Sequence, residues 1–514
     1  MQRKRIVQTE TLASPVKGWD AKNSIANMDK LAAVKLENWY PTTSDVLMRK
    51  GYTQHATGFS DDVETLMAYE AQSSGNDKLF AAAGTSIFDA TAAGAIGAAV
   101  VTGMTNARWR YVNVTDSGGT HYLIAVNGAD NPQYYNGTSW ISVTGATSPA
   151  ITGVTTSDLT NLTVHKKFLW YVEKNSLNLY YMPTGAVGGA ATAFSMDTVF
   201  RKGGFIVDID TWTLDAGEGM DDYFAIITSE GEIAIYRGTN PASASTWALV
   251  GVWALADPIG DRVFMKYAGD LLAILEDGVY PLSTALLSSQ VNPETALTDN
   301  IRGAMANAGE LYNNKFGWQL LHYPRANMLI VNVPKETNSL QEQFVMNTIT
   351  GAWCNFKDIE ANCWELFNKE PYFGGDDYVG QFWFDYDDNG SNVMAGAQQA
   401  FHYFGSRGEN KRWTMARPIF QAIGQPSVSI GLNINYDTGD PTSIISFASV
   451  NFSVWDTDTW DSAEWGGSLD ARLDWGCVSG IGFCAAVRLK SESSGVETRW
   501  VGTDFAYEKS NVPI

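Results

Sequence analysis

The chain predicts an all-β fold, a β-propeller of six or seven blades with a C-terminal β-sandwich, and three observations point there. Its 514 residues are 45% hydrophobic and only 18% charged, enough apolar material for a large core and too little charge for extended disorder. Its 48 Gly, 22 Tyr and 18 Trp lie among short runs of Val, Ile, Phe and Thr, residue types that suit a pleated surface and tight turns. Finally, an apolar strand, a turn carrying Gly, Asn or Asp, and a second strand recur along the middle of the chain.

Residues 1–60 read as an N-terminal arm and docking strand, because large apolar side chains are sparse before Leu36-Glu-Asn-Trp-Tyr-Pro41 and Val46-Leu-Met-Arg-Lys-Gly-Tyr52. Residues 61–390 carry the repeat. Its hairpins begin near positions 78, 121, 167, 222, 270, 328 and 371, at intervals of 43 to 58 residues. A four-stranded blade needs about 40 to 50 residues, so this spacing fits a propeller with surplus loop, against the alternative of an irregular sandwich or meander. Further strands between the hairpins, at 107–114 and 262–267, support four-stranded units. Residues 391–514 change in texture and read as a β-sandwich, with alternating strands at 411–420, 428–436, 484–490 and 500–507 and a Trp455, Trp460, Trp465 ladder. Helix is scarce, and 292–306 is the best candidate, with Asn292 as cap and Pro293 in the first turn.

The formal net charge of −21 excludes a protein that grips nucleic acid over a broad basic surface, yet it is compatible with a channel wall past which DNA slides. No apolar run approaches the ~18 residues of a membrane helix, so no membrane insertion is expected. Cys354, Cys363, Cys477 and Cys484 match no zinc spacing and read as buried thiols. The sequence lacks GxSxG, HExxH and GxxxxGK[ST] motifs, and no two of its five histidines lie within ten residues of one another. Neither an enzyme nor a cofactor is therefore expected. Asp385, Asp387 and Asn389 match the opening of a calcium loop, but position twelve, where a bidentate Glu belongs, is Gly396. A solvated loop is the favoured reading there. Carboxylates at Asp215, Glu218, Asp221, Asp222, Asp376 and Asp377 keep open a glycan-binding or depolymerase propeller, which would need two carboxylates and an aromatic platform in one cleft.

Three stretches carry a family resemblance. Leu36-Glu-Asn-Trp-Tyr-Pro-Thr42 with Leu47-Met-Arg-Lys-Gly-Tyr52 resembles the N-terminal signature of podovirus tail nozzle proteins, also called packaged-DNA stabilisation proteins or tail tubular protein B. Lys411-Arg-Trp-Thr-Met-Ala-Arg-Pro-Ile-Phe420 resembles their late strand pair, and the Trp455 ladder with Gly480-Ile-Gly-Phe-Cys-Ala-Ala-Val-Arg-Leu489 resembles their C-terminal module. The resemblance implies a structural subunit of a phage tail, assembled in the host cytoplasm. About six copies would form a homo-oligomeric ring below a tail adaptor, docking a tail fibre or tailspike and passing double-stranded DNA through the lumen without sequence-specific binding. The interface residues expected are Trp39, Tyr40, Pro41, Arg49, Lys50, Gly51 and Arg417.

Overall fold

Each of the seven hairpins forms the second and third strands of an antiparallel blade in the computed structural model, which describes residues 7–215, 220–285, 293–335, 341–440, 443–445 and 470–513. The first blade is Val63–Tyr69, Lys78–Ala83, Ser86–Asp89 and Val101–Thr102; the second is Arg110–Thr115, His121–Val126, Gln133–Tyr135 and Trp140–Ser142. The third runs from Leu159–His165 to Thr192–Ser195, and the fourth from Ile206–Asp215 to Trp247–Ala254. The fifth has three strands among the described residues, Phe264–Tyr267, Asp270–Leu275 and Gly278–Pro281. The sixth spans Gln319–Tyr323 to Trp353–Phe356. Tight turns connect the hairpins, and Asn175 (φ 52°) and Gly231 (φ 68°) take there the left-handed conformation such turns need.

The seventh blade is composite. Cys363–Phe367, Glu370–Gly374 and Tyr378–Phe382 supply three strands, and Tyr52–Thr57 pairs antiparallel with Tyr378–Phe382 as the fourth. Ring closure thus joins segments more than 300 residues apart, and each blade buries its faces against its two neighbours.

Residues 7–48 form no separate arm, which corrects the expected boundary at 60. Val7–Ala13 pairs with Thr498–Pro513, and Trp39–Pro41 with Val46–Met48 forms a hairpin on the same sheet, whose next strand is Glu409–Ala422. The facing sheet continues the sixth blade: Trp353–Phe356 pairs with Gly18–Trp19 and Ala32–Glu37, which lead to Val393–Gln399, Ala485–Ser493 and Val428–Ile434. At Gly18 (φ 79°) a Cβ would lie 2.4 Å from the Trp353 carbonyl oxygen, so this junction requires glycine. One apolar core runs through both parts and joins Met328, Phe356 and Phe382 of the propeller to Trp39, Trp413, Leu489 and Trp500 of the sandwich.

Two other expectations change. The helix begins at Arg302 and ends at Tyr312, while 293–295 and 299–301 are short 3-10 turns and Asn292 lies outside the described residues. Packing overrides the cap signal, because the Leu297 N–H donates to Val279 O and the Leu297 carbonyl accepts from Trp353 Nε1, which holds this stretch against the fifth blade. Cys354, Cys363 and Cys484 are buried, but Cys477 is exposed on the strand Gly476–Gly482. The tryptophan ladder at 455–465 lies outside the described residues.

Candidate functional site

The first strand of every blade faces the propeller axis. Thr65, Tyr111, Thr163, Asp210, Lys266, Gln319 and Glu365, one from each successive blade, line a pocket of about 450 Å³ there. Alternation along a strand places every second side chain on the axis, and these side chains are mainly polar.

A hydrogen-bonded network crosses the pocket floor. Asp208, fully buried, pairs with Arg110 Nη2 at 3.0 Å and accepts from Asn161 Nδ2 at 2.6 Å and from the Phe264 N–H at 2.9 Å, tying the second to fifth blades together. Burial raises the pKa of Asp208 despite the Arg110 guanidinium. Arg262 donates to Gln319 Oε1 at 2.7 Å and Thr65 Oγ1 at 3.0 Å, joining the fifth, sixth and first blades. Its guanidinium and that of Arg108 lie over the Phe316 ring, 5.4 and 4.5 Å from the centroid, at the end of the axis where the inner strands begin. The ring and its two cations narrow that mouth.

Glu365 accepts the Tyr111 hydroxyl at 2.6 Å and the Leu366 N–H at 2.9 Å. Burial pushes its pKa up to about 7 although both hydrogen bonds favour the carboxylate. The folded protein therefore holds this proton over a range in which the unfolded chain, with the ordinary value of 4.5, has released it. The stability so contributed is full below about pH 4.5 and is lost as pH rises through about 7. Glu365→Gln should flatten that part of the stability profile, measured by urea unfolding at pH 4.5, 6 and 8. An unchanged difference between wild type and variant at all three values would show that Glu365 titrates normally.

The interface residues expected from the sequence are in one place but mostly inside. Trp39 is fully buried, stacked on Phe420 at 6.3 Å and tilted against Trp500 at 6.4 Å. Tyr40 is also buried, and its hydroxyl donates to the carbonyls of Ala326 and Asn327 at 3.0 and 2.8 Å. Pro41 is buried, and its carbonyl accepts from Asn347 Nδ2 at 3.0 Å. These three are expected to dock the segment on the chain's own propeller or on a neighbour, and they pack into the chain's own core against the sixth blade, which corrects their listing as interface residues. Gly51 is a close-approach residue, since a Cβ there would fall 1.7 Å from the Asp387 carbonyl oxygen. Lys50 lies over the Tyr386 ring at 5.2 Å. Arg417, one third exposed, pairs with Asp504 at 2.5 Å and covers Trp475 at 4.9 Å, so it and the half-buried Lys50 reach the surface.

Arg49 was expected at an interface and instead fastens the interior. Nε donates to Asn38 Oδ1 at 2.9 Å, Nη1 to Asp388 Oδ1 at 2.7 Å and Lys50 O at 3.2 Å, and Nη2 to Asp388 Oδ2 at 2.8 Å and Lys357 O at 2.9 Å. All five N–H groups are used. Asp388 sits inside the proposed calcium loop but is not one of its expected ligands. Of those, Asp385 Oδ1 accepts the Tyr386 N–H, Asp387 Oδ1 the Gly390 N–H, and Asn389 Oδ1 the Gln54 N–H, so the loop's oxygens are turned to its own backbone and to Gln54. Among the described residues no cluster of three or more His, Cys, Asp or Glu is placed to hold a metal ion. Both the axial network and the Arg49 clasp escaped the sequence, where Arg110, Asp208, Arg262 and Glu365 carry no local motif.

No family model matches the sequence, and no curated protein matches it. Among solved structures it is similar to the WD40 β-propeller domain of Doa1, at 10% identity over 65% of this chain and 96% of that one, with a TM-score of 0.39. It is also similar to a quinonprotein alcohol dehydrogenase-like protein from Bacteroides thetaiotaomicron, at 12% identity over 62% and 69% with a TM-score of 0.31. A glycoside hydrolase family 43 arabinoxylan arabinofuranohydrolase from Bacillus subtilis aligns at 11% identity over 95% and 99%, with a TM-score of 0.26. Scores this low leave the propeller assignment to the strand pairing and carry nothing about activity. Among the described residues no helix is long and apolar enough to cross a membrane.

Proposed function

We propose that this chain is a structural subunit of a short-tailed phage tail, one of about six forming the nozzle ring below the adaptor, and that it performs no catalysis. The observation that carries this reading is spatial. The stretches that resemble tail nozzle proteins are scattered along the sequence, yet Trp39, Trp413, Phe420 and Leu489 share one core that binds the sandwich to the propeller.

The axis of each propeller is too narrow for DNA, since a pocket of about 450 Å³ floored by ion pairs is small beside a duplex whose major groove alone is about 12 Å wide. The conduit on this reading lies between subunits, and a heterologous contact between identical chains closes it. The charge of −21 per chain fits a wall that does not hold phosphate. The tail fibre or tailspike then docks on the outer surface, and the virion tail is where the protein resides. Negative-stain images of the purified chain, alone and mixed with the tail adaptor, are expected to show rings of about sixfold symmetry. A chain that remains monomeric in both preparations removes the proposal.

A second reading, glycan binding or cleavage, is favoured by one observation: Asp210 and Glu365 line the same pocket as Trp109 and Tyr111. Both carboxylates are engaged in the network, Asp210 by Thr163 and Lys266 and Glu365 by Tyr111. Release of reducing sugar from host surface polysaccharide by the wild type, abolished in Glu365→Gln and Asp210→Asn, would establish this second activity.

A further inference from the structure

Two arginines are buried among the described residues, and the guanidinium of Arg49 is met on all sides. Arg488 is not. It lies on the strand Ala485–Ser493, 4% exposed, and among the described residues its one hydrogen bond runs from Nη2 to Asp440 Oδ1 at 2.6 Å, while buried Nε and Nη1 find no partner there. Leaving donors of a buried cation unmade is costly, so these N–H groups favour any group that brings acceptors to them.

Arg488 stands in the wall of a cavity of about 590 Å³ at the seam between the continued sixth blade and the sandwich, together with Trp19, Lys35, Glu37, Asn355 and Gln398. Two further features define what fits. Asn355 Oδ1 is buried and meets no donor among the described residues, so the cavity presents an acceptor as well as donors. Its own anions are partly committed: Glu37 is held by Lys35 at 2.7 Å and Lys357 at 2.6 Å, and these ammonium groups keep its carboxyl below the usual range although burial pushes the other way. Asp440, the only carboxylate on the guanidinium among the described residues, has a side chain that is 72% exposed. A carboxylate so placed can be displaced at small desolvation cost.

We propose that this seam binds an acidic peptide segment of a partner protein, whose carboxylate replaces Asp440 on Arg488 while a neighbouring peptide N–H donates to Asn355 and its apolar part lies against Trp19. A guanidinium with free edges matches a planar carboxylate two-pronged, and the adjacent acceptor selects a ligand with an N–H beside its charge. Inorganic phosphate supplies the oxygens but no N–H. This site is independent of ring formation, and it needs no change in the axial pocket.

Fluorescence anisotropy of a fluorescein-labelled Gly-Leu-Asp-Glu-Gly peptide with the full chain tests it. Saturable binding is expected, weakened about tenfold or more by Arg488→Met. Asp440→Asn, which removes the internal competitor, should tighten binding several-fold, a response that a purely structural ion pair would not give. Absence of saturable binding overturns the proposal, as does displacement of the peptide by an equal concentration of inorganic phosphate, which would mark a simple oxyanion site. Should Arg488→Met fail to fold, the Asp440→Asn measurement decides alone: unchanged affinity in that variant also overturns it.

Discussion

Deleting residues 1–48 is expected to abolish the soluble fold rather than merely impair assembly. The segment contributes three strands to one sandwich sheet and two to the sheet shared with the sixth blade. It also carries Ala33, Trp39, Val46 and Met48, all fully buried. Truncating one large core side chain costs about 2 to 5 kcal/mol, and a domain has only about 5 to 15 kcal/mol of stability, so loss of the whole set exceeds the reserve. The deletion also strips Thr498–Pro513 of its partner strand and leaves an open edge beside an exposed core, a template for aggregation. Soluble yield and the thermal unfolding transition of the truncated chain, compared with full length, measure this. A truncated protein that stays soluble with an unchanged cooperative transition would mean that the sandwich closes without its N-terminal strands.

Arg49→Met should be the most damaging single substitution, costing about 3 to 5 kcal/mol, because it leaves Asp388 charged and nearly buried with no counter-ion. The loss reaches three regions together, since the guanidinium also holds Asn38 beside the sandwich hairpin and the Lys357 carbonyl that follows the sixth blade. Arg49→Lys should recover little: an ammonium offers three donors in place of five and cannot span both oxygens of Asp388 with the same planar fork. Arg49→Met combined with Asp388→Leu should be clearly more stable than Arg49→Met alone, because an apolar pair carries no desolvated charge. Urea unfolding of Arg49→Met, Asp388→Leu, the double variant and the wild type gives the cycle. If the double variant is as unstable as the sum of the two single ones, the pair is not coupled and the clasp has no energetic meaning.

How far the sequence was legible depends on the range of the interaction involved. The seven hairpins were visible because their pattern is local: alternation within six residues, a turn residue with a preferred dihedral, and a second alternating run. Lys78–Ala83 with Ser86–Asp89 and Asp270–Leu275 with Gly278–Pro281 were found for this reason, within a residue or two. The arm was misjudged because the density of large side chains in residues 1–35 is low, which excludes an independent core but says nothing about strands that borrow one. Val7–Ala13 is such a strand, largely exposed and held by backbone hydrogen bonds to Thr498–Pro513, and those bonds have no side-chain signature. The motif at Leu36–Tyr52 was recognised but its role was not, because a buried Trp39 and an interface Trp39 are the same residue in a sequence.

What the sequence by itself determined is the all-β class, the number of repeating hairpins, and the presence of two differently textured regions, since each follows from composition and short-range period. Only the tertiary structure decided that Tyr52–Thr57 closes the seventh blade, that the sixth blade runs on into the sandwich, and that Arg49 meets Asp388 across 339 positions. It also decided that Arg110, Asp208, Arg262 and Glu365 meet on one axis. The physical reason is common to these cases. Local pattern specifies a strand and its buried face, whereas strand partners and the burial of a charge depend on which distant surfaces the closed ring brings within hydrogen-bonding distance.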